Sequence, residues 1–562
     1  MSALRGGGQS VRGPSGGWQR SAWGVRRTFL GAVCGPTFAR KGLLGFGWWV
    51  MISESKGYKS MKKKDVWLFL RSVALFFALW GGGGGGAVAA DRPPNIVFIL
   101  ADDLGYGDLG CFGQKRIRTP HLDRMAAEGM RLTRHYSGNA VCAPSRCVLM
   151  TGRHPGHAFV RDNRQFSKGT EGQYPVPEGT VTIARLLRER GYATGGFGKW
   201  GLGGPGTSGE PLRQGFDRWF GYNCQAVAHN FYPTHLWDDG RQVALKNPAF
   251  PAHDRLKEGE SAGDAASYAR FSGREYSADL IAEKALDFVR TNRERPFFLY
   301  WPTTVPHLAL QVPEDSLREY DGQFEEEPYS GGKGYLPHRR PRSAYAAMVT
   351  RMDREIGRMM ALVSELGLDE RTMFVFTSDN GPLHGTHQGL GGTDAAFFES
   401  AGGLRDGKGT LWEGGFRVPT IVRWKGTVAA GGESAWVSGF EDWMPTLVEV
   451  AGGRAPEGVD GVSLLPTLRG EARGGRPFLY REFPGYLGYQ VVVMDRWKAV
   501  RRNLSSRKGT RPGDWELYDV VGDRSEEKDV ASDHPEIVAR AKEIAAREHV
   551  ASAEFPFPVL DR

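Results

Sequence analysis

The most reactive stretch of the chain is residues 141–153, which read V-C-A-P-S-R-C-V-L-M-T-G-R. The sulfur of Cys142 is a potential nucleophile. Pro144 has no N–H and favours the start of a helix, so we expect a helix to begin near Pro144, with Cys142 just before its positive end. Arg146 would lie about one helical turn further on and could face the same anion. This arrangement suits attack on a charged ester, although composition alone also allows an inert buried thiol.

Acidic and amide side chains follow two apolar runs. The run 94–100 ends in Ala101, Asp102 and Asp103, and Asp379 and Asn380 follow the run 372–377. Continuous apolar runs predict strands buried on both faces, and catalytic groups of open α/β sheets gather at the carboxyl ends of such strands. A turn or a helix cap would explain either pair equally well on local grounds.

Three further polar residues stand in similar positions. Lys199 follows the short predicted strand 192–197, His307 follows the apolar run 296–301, and Lys408 lies in a glycine-rich segment. A lysine at a strand end is usually solvated, and an isolated histidine is more often structural than catalytic. Each needs support from a wider pattern.

That pattern resembles the formylglycine-dependent sulfatases. The string C-x-P-S-R with the following T-G-R resembles the signature in which the cysteine is oxidised to formylglycine after translation. The strings A-D-D-L-G-Y-G-D-L-G-C and S-D-N-G resemble the two metal-binding segments of the family. G-K-W-x-L-G, the dipeptide P-H and G-x-x-x-x-K followed by E-G-G-x-R-V-P resemble its other active-site segments.

The resemblance implies an α/β fold of the alkaline phosphatase type, with a large mixed sheet flanked by helices and a smaller α+β part at the carboxyl terminus. It implies that the metal is held by a set of five residues: Asp102, Asp103, Cys142, Asp379 and Asn380. The four oxygen-bearing residues favour a hard cation, with Ca²⁺ as first choice and Mg²⁺ as second.

The resemblance also implies catalytic roles. Hydrated formylglycine at Cys142 would attack sulfur, with Asp379 helping to remove its proton. Arg146, Lys199 and Lys408 would balance the negative charge of the sulfate group, and His307 with Lys408 would protonate the departing alcohol. A formylglycine-generating or sulfatase-maturating enzyme is then a required partner.

One position departs from the family pattern. The family commonly has a histidine where this chain has Gly201, and that histidine helps to release sulfate. His154 and His157 are candidate substitutes because they lie near the cysteine motif in sequence.

The substrate is expected to be a sulfated carbohydrate. Residues 203–273 predict a long irregular loop, and its segment 225–237 contains His229, His235 and three aromatic side chains, which suit a sugar-binding wall. His157 and Arg161 are further candidate substrate contacts. Two alternatives stay open: a phosphate or phosphonate ester hydrolase of the same superfamily, and an inactive secreted carbohydrate-binding homologue.

Charge and composition divide the chain into parts. Residues 1–90 carry thirteen Lys and Arg against two acidic residues, and the remainder holds 60 basic and 62 acidic side chains. The body is therefore not basic, and nucleic acid is not an expected partner. Residues 61–90 read as a signal peptide with lysines, a short apolar run and a small-residue cleavage site, so we expect a secreted or periplasmic protein without a permanent membrane anchor.

The predicted organisation follows from these parts. Residues 1–60 are an extension from an upstream start codon, 61–90 the signal peptide, 91–470 the catalytic domain and 471–562 a smaller subdomain. Predicted helices cover residues 121–130, 180–190, 276–290, 343–366 and 535–551, and the carboxyl-terminal part adds strands at 489–494, 498–501 and 515–519.

Overall fold

The computed structural model describes residues 92–167, 171–505 and 511–561. Ala87–Arg562 forms one compact unit. The predicted extension (1–60) and signal peptide (61–90) lie outside the described residues, and the division at residue 470 stays a prediction. Within the three described ranges, no helix is both long and apolar enough to cross a membrane.

The described strands belong to three sheets, and their bounds are as follows: β1 Asn95–Ala101, β2 Met130–Leu132, β3 His135–Tyr136, β4 Ala193–Lys199, β5 Arg218–Tyr222, β6 His235–Asp238, β7 Arg241–Ala244, β8 Phe297–Pro302, β9 Thr372–Ser378, β10 Ile421–Arg423, β11 Gly432–Ser434, β12 Ser438–Gly439, β13 Leu479–Phe483, β14 Tyr489–Met494, β15 Trp497–Arg502 and β16 Trp515–Asp519. The large mixed sheet has the order β11-β2-β10-β9-β1-β8-β4-β5-β6-β7, β12 pairs with β3, and β13 to β16 form a separate antiparallel sheet.

The α-helices of the described ranges have these bounds: α1 Pro120–Ala127, α2 Cys142–Thr151, α3 Ile183–Glu189, α4 Ser277–Asn292, α5 Glu314–Leu317, α6 Pro341–Glu365, α7 Glu413–Phe416, α8 Trp443–Val450, α9 Leu465–Leu468 and α10 Pro535–Glu548. The five helices predicted from apolar periodicity are confirmed as α1, α3, α4, α6 and α10. Their ends move by a few residues.

The centre of the large sheet is built from the apolar runs seen in the sequence. β1 lies between β8 and β9 and is parallel to both, with Ala101 opposite Ser378 and Leu100 opposite Pro302. Every residue of these three strands is buried, as expected for a parallel sheet covered on both faces. β4 pairs parallel with β8 on the far side. The carboxyl ends of all four strands therefore meet at one edge of the sheet.

Helix α2 corrects one expectation. It begins at Cys142 itself, with Val141 as the extended cap residue, and not near Pro144. Pro144 is tolerated in the third position because the N–H groups of the first helical turn have no partner within the helix. Cys142 is thus part of the positive end of the helix, and its side chain extends from the first turn.

The predicted irregular loop 203–273 is also corrected. It contains β5, β6 and β7, which extend the large sheet at one edge. Asp239 and Gly240, both with positive φ, form the turn between β6 and β7, and an Asp-Gly pair favours such a two-residue hairpin. The sequence pattern does not predict β7, because this strand is exposed and shows no buried alternation.

The carboxyl-terminal sheet supports the segment that leads into α2. One face, with Val491 and Val500, shares a buried apolar cluster with Tyr136 and Val141. The other face packs against α10. The predicted smaller α+β part is confirmed, and its sheet braces the backbone just before Cys142.

Candidate active site

The acidic side chains converge because their strands are neighbours. Asp102 and Asp103 follow β1 directly, and Asp379 and Asn380 follow β9 directly. The backbone N–H of Asp379 donates to the carbonyl of Ala101 over 3.0 Å, and the Asn380 side-chain N–H donates to Asp103 Oδ1 over 2.8 Å. All four residues are buried, so the site is a buried cluster of three carboxyl groups and one amide.

Cys142 faces this cluster from the first turn of α2. Its Sγ lies 3.4 Å from Asp102 Oδ1. The first turn of the helix is held in place because the N–H of Ala143 donates to Asn163 Oδ1 over 2.8 Å. Cys142 is buried, with 1% of its surface exposed.

Two lysines approach the sulfur from different elements. Lys199, the last residue of β4, lies 2.6 Å from Asp102 Oδ2 and 3.4 Å from Cys142 Sγ. Lys408 Nζ lies 2.7 Å from Asp103 Oδ1 and 3.8 Å from Cys142 Sγ. The two predicted lysines therefore lie close to the same sulfur atom, and each pairs with a different carboxylate.

Arg146 is in the cluster but does not present a free guanidinium to an incoming anion. Its Nε and Nη2 donate to Asp379 Oδ2 over 3.0 and 2.8 Å, Nη2 also donates to Asp102 Oδ2 over 3.2 Å, and Nη1 donates to the carbonyl of Lys199. The side chain is fully buried. Arg146 thus links two acids and the end of β4.

His307 completes the cluster after β8. Its Nδ1 is 2.6 Å from the carbonyl of Leu308, and its Nε2 is 3.6 Å from Asp103 Oδ2. The bond to Leu308 assigns the proton of the neutral ring to Nδ1 and leaves Nε2 directed into the site.

A group of three rings adjoins His307, of which His229 and Tyr335 are half-buried and His253 is exposed. The ring of His229 stacks on His307 with centroids 4.9 Å apart, and His229 Nδ1 lies 3.1 Å from His253 Nε2. Tyr335 lies against all three rings, at centroid distances between 4.6 and 6.0 Å. His253 and Tyr335 were not among the predicted site residues, because no local pattern distinguishes them from other loop residues.

The charges of the cluster shift its pKa values in opposite directions. Burial, reinforced by Asp102, raises the pKa of the Cys142 thiol to about 12. Burial and Asp102 likewise raise the pKa of Asp379 to about 6. Burial opposes ionisation of Asp102 itself, but the charges of Lys199 and its neighbours outweigh burial and hold that pKa well below its usual value. At neutral pH an unmodified Cys142 is therefore a protonated, poor nucleophile.

The cations and the histidine behave differently from one another. Burial disfavours the charged form of Lys408, but Asp103 outweighs it and raises the pKa well above the ordinary value. Burial and the nearby charges of Lys408 and Lys199 lower the pKa of His307 well below its ordinary value. The lysines are thus charged and His307 is neutral in the protein without a bound anion.

A divalent cation fits the residues present. Asp102, Asp103, Cys142 and His307 each offer a ligand atom, and these atoms lie within 4.8 Å of one another. The side-chain oxygen of Asn380 is buried and has no hydrogen-bond partner among the described residues. An orphaned amide oxygen beside two carboxylates is the donor expected around a hard cation.

The remaining predicted contacts are engaged elsewhere. His235 pairs with Glu171 over 2.9 Å. Arg161 is buried and donates to Glu482 over 2.8 Å as well as to three backbone carbonyls. Of the four predicted substrate contacts, the structure brings His229 into contact with the cluster around Cys142.

His154 and His157 do not join the cluster either. They follow α2 at its other end, and ten helical residues at ~1.5 Å each span about 15 Å. His154 Nε2 lies 3.0 Å from Glu548 Oε2, and His157 Nδ1 lies 2.9 Å from Asp460 Oδ1. Their positions therefore do not support a role for either histidine as the base expected near Gly201, because nearness in sequence along a helix becomes distance along its axis.

The cysteines other than Cys142 form no disulfide within the described ranges. Cys147, on the same helix as Cys142, is fully buried. It offers a matched control for experiments on Cys142.

Comparisons with known proteins agree with this geometry. The sulfatase family model matches residues 94–453, and the model for the carboxyl-terminal region of N-sulphoglucosamine sulphohydrolase matches residues 403–548. Steryl-sulfatase of Mus musculus is 34% identical and the match covers 73% of this chain and 70% of that protein. N-acetylgalactosamine-6-sulfatase of Canis lupus familiaris is 33% identical, with 73% and 72% covered. The crystal structure of Ps i-CgsB in complex with k-i-k-neocarrahexaose matches with a TM-score of 0.64 and 26% identity, covering 81% of this chain and 93% of that one.

The chain belongs to the sulfatase family. It is accordingly a sulfatase, an enzyme that hydrolyses sulfate esters. The family implies both a formylglycine residue and a divalent metal, and the cluster around Cys142 contains the residues that could supply the one and hold the other.

Proposed function

We propose that this sulfatase removes sulfate from a sulfated carbohydrate, using formylglycine made from Cys142 and a bound Ca²⁺ ion. The observation that carries the proposal is the position of Cys142 Sγ among buried acids. It lies 3.4 Å from both Asp102 Oδ1 and Lys199 Nζ. A raised thiol pKa makes the unmodified cysteine unsuited to attack, whereas its oxidation to an aldehyde changes the chemistry of the same position.

The proposed metal ligands are Asp102, Asp103, Asp379 and Asn380, together with the modified residue 142. Their oxygen atoms favour Ca²⁺ and, as second choice, Mg²⁺. When bound, such a cation would polarise a sulfate oxygen and draw charge away from sulfur. His307 Nε2 lies 3.6 Å from Asp103 Oδ2 and is an imidazole donor of the kind that zinc accepts, so metal analysis is a direct test.

Proton movement is assigned to residues on opposite sides of the sulfur. Asp379, whose pKa is raised to about 6, is suited to accept a proton from the attacking oxygen near neutral pH. Among the charged groups that shift the pKa of His307, Lys408 has the largest effect. A bound anionic ester would raise the pKa of His307, so that His307 and Lys408 together can deliver a proton to the departing alcohol.

Lys199 and Lys408 supply the positive charge for the sulfate group. Each Nζ already lies within 4 Å of Cys142 Sγ, and each is held by a carboxylate that keeps it charged. Cations fixed in a buried site need little rearrangement as charge develops, which is the condition for strong stabilisation of a transition state.

Two features support a carbohydrate as the substrate. His229, His253 and Tyr335 form a partly exposed wall of rings beside His307, and rings with polar edges suit a sugar. Sugars are associated with two of the matched proteins. The N-acetylgalactosamine-6-sulfatase acts on N-acetylgalactosamine 6-sulfate by its name, and the Ps i-CgsB crystals contain neocarrahexaose.

The experiment begins with co-expression of the chain and a formylglycine-generating or sulfatase-maturating enzyme. Mass spectrometry of the peptide that contains residue 142 should show the aldehyde, and sulfated monosaccharides and glycosaminoglycan fragments should release inorganic sulfate. Cys142→Ser should abolish release, and the matched control Cys147→Ser should retain it. A metal analysis that finds stoichiometric zinc and no calcium or magnesium would contradict the proposed ligand chemistry.

The two alternatives have distinct outcomes in the same experiment. A phosphate or phosphonate ester hydrolase would release phosphate from a monoester faster than sulfate from the corresponding sulfate ester. An inactive binding protein would retain the thiol at residue 142 even with the maturating enzyme present, and would bind sulfated sugars without turnover.

Secretion is proposed from residues 61–90, which carry the features of a signal peptide. Amino-terminal sequencing of the exported protein should find a start near Ala90 or Asp91. A mature protein that retains Trp48 would contradict both this cleavage and the proposed start at Met61.

A further inference from the structure

Gly201 is the position where the chain departs from the pattern of its family, and another side chain occupies the space beside it. Gly201 has φ +97°, and a Cβ built on it would lie 2.5 Å from Gln225 Nε2. The amide group of Gln225 therefore fills the volume into which a side chain at position 201 would extend.

The amide nitrogen of Gln225 is an unusual buried donor. Gln225 is 5% exposed, and its Nε2 has no hydrogen-bond partner among the described residues. A buried N–H without a partner costs free energy, so native proteins rarely retain one unless a ligand, ion or water completes it. Its backbone is well anchored, since the N–H of Gln225 donates to Gln173 Oε1 over 2.9 Å.

The chain on either side of Gln225 belongs to the active site. Tyr222, three residues before it, pairs with Lys199 in the sheet, and the N–H of Trp200 donates to the carbonyl of Tyr222 over 2.9 Å. His229, four residues after it, stacks on His307. Gln225 thus lies on the short segment that runs between the Lys199 side and the His307 side of the site.

We propose that the side-chain N–H of Gln225 donates a hydrogen bond to an oxygen of the bound sulfate group. This inference rests on the proposed function and adds a neutral donor to the charged groups of Lys199 and Lys408. It also explains the glycine: any side chain at position 201 would displace the Gln225 amide, and the positive φ there disfavours other residues in any case.

The test measures binding of inorganic sulfate to the matured, metal-loaded enzyme by titration calorimetry, together with turnover. Gln225→Met keeps the volume of the side chain and removes the donor. Loss of a hydrogen bond to a charged group should weaken sulfate binding roughly 10-fold or more. Gln490→Ala is the matched control, because Gln490 is a buried amide in the carboxyl-terminal sheet that donates to Tyr480, and it should leave sulfate affinity unchanged.

A second variant tests the link with Gly201. Gly201→Ala should weaken sulfate binding by pushing the Gln225 amide aside. Once Gln225 is methionine, adding Gly201→Ala should cost little further sulfate affinity, so the two effects should be strongly non-additive.

The outcomes separate this inference from the proposed function. Unchanged sulfate affinity in folded Gln225→Met, with a parent that binds sulfate and turns over, overturns the inference alone, as do additive effects of the two substitutions. A parent enzyme that neither binds sulfate nor releases it from any ester overturns the proposed function and the inference with it.

Discussion

A group of titratable side chains lies near each end of helix α2, and the two groups are arranged differently. At its amino-terminal end, Asp102, Asp103 and Asp379 share a buried space with two lysines, and an amide oxygen of Asn380 is left without a partner. At its other end, His154 and His157 each point at a carboxylate, Glu548 and Asp460 respectively.

The difference shows how a reactive site can be told from a structural one. In the first cluster the charged groups converge on the sulfur of Cys142, and the acids retain oxygen atoms for a cation. In the second cluster the histidines pair across segments distant in sequence, joining the loop after α2 to residue 460 and to the end of α10. The first arrangement gathers its charges around one sulfur atom, whereas the second links segments that are distant in sequence. His154, His157 and Asp460 also offer atoms within 4.8 Å of one another that could hold a metal ion.

The largest effect is expected from Asp379→Ala. The substitution removes a proposed metal ligand, the proposed proton acceptor and a partner of Arg146, so turnover should fall at least ~10³-fold and the bound metal should be lost. Turnover and elemental analysis of the purified variant measure both effects. Asp460→Ala is the matched control at the other end of α2 and should keep its metal. Retention of metal and of a tenth of the activity in Asp379→Ala would remove the distinction between the two clusters.

A smaller loss is expected from Lys408→Met. Its charge lies against Asp103 and close to Cys142 Sγ, so losing it should reduce kcat/KM by about 10²–10³-fold while the metal stays bound. The assay compares esters with good and poor leaving groups. If Lys408 assists His307 in protonating the alcohol, the loss should be greatest for the poorest leaving group, and an equal loss for all esters would limit Lys408 to binding.

His154→Ala should affect stability and leave catalysis intact. Removing the buried ring takes away the partner of Glu548, which we expect to lower the free energy of unfolding by about 1–3 kcal/mol. Urea unfolding measures this change. Sulfate release should stay within about two-fold of the parent, without a burst of alcohol. A burst followed by slow turnover would instead make His154 a base for sulfate release, against the geometry.

The smallest effect concerns the pH dependence of stability. The hydrogen bond to Asp460 outweighs partial burial and raises the pKa of His157, so folding favours its protonated form. This contribution is complete below the unfolded pKa of roughly 6.5 and is lost as the pH rises through the higher folded pKa. The difference in unfolding free energy between the parent and His157→Gln should therefore shrink between about pH 6 and pH 8.

The neighbouring histidine sets the control for that measurement. Burial lowers the pKa of His154, so folding favours its neutral form. The contribution of His154 therefore makes the protein less stable as the pH drops below the unfolded pKa of roughly 6.5, which is opposite in sign to the contribution of His157. Repeating the comparison in His154→Ala separates the two. A difference that grows with pH would mean that His157 is neutral in the folded protein.

The sequence by itself determined the main features of the sheet edge. Apolar runs without alternation predicted the buried strands β1, β8 and β9, and a parallel sheet aligns the carboxyl ends of such strands, so Asp102, His307 and Asp379 could be expected together. The cysteine motif predicted the position of the reactive side chain, because its spacing is local and lies within one helix.

Only the tertiary structure decided which polar side chains face the sulfur and which brace the fold. The roles of Arg146, Arg161 and His235 depend on the acids that they meet, and those acids lie up to 321 residues away in sequence. The approach of Gln225 to Gly201 is likewise a contact between the segments that follow β4 and β5, with no local signal. Local patterns record burial and backbone preference, whereas the pairing of buried charges and amides is fixed by how the elements pack.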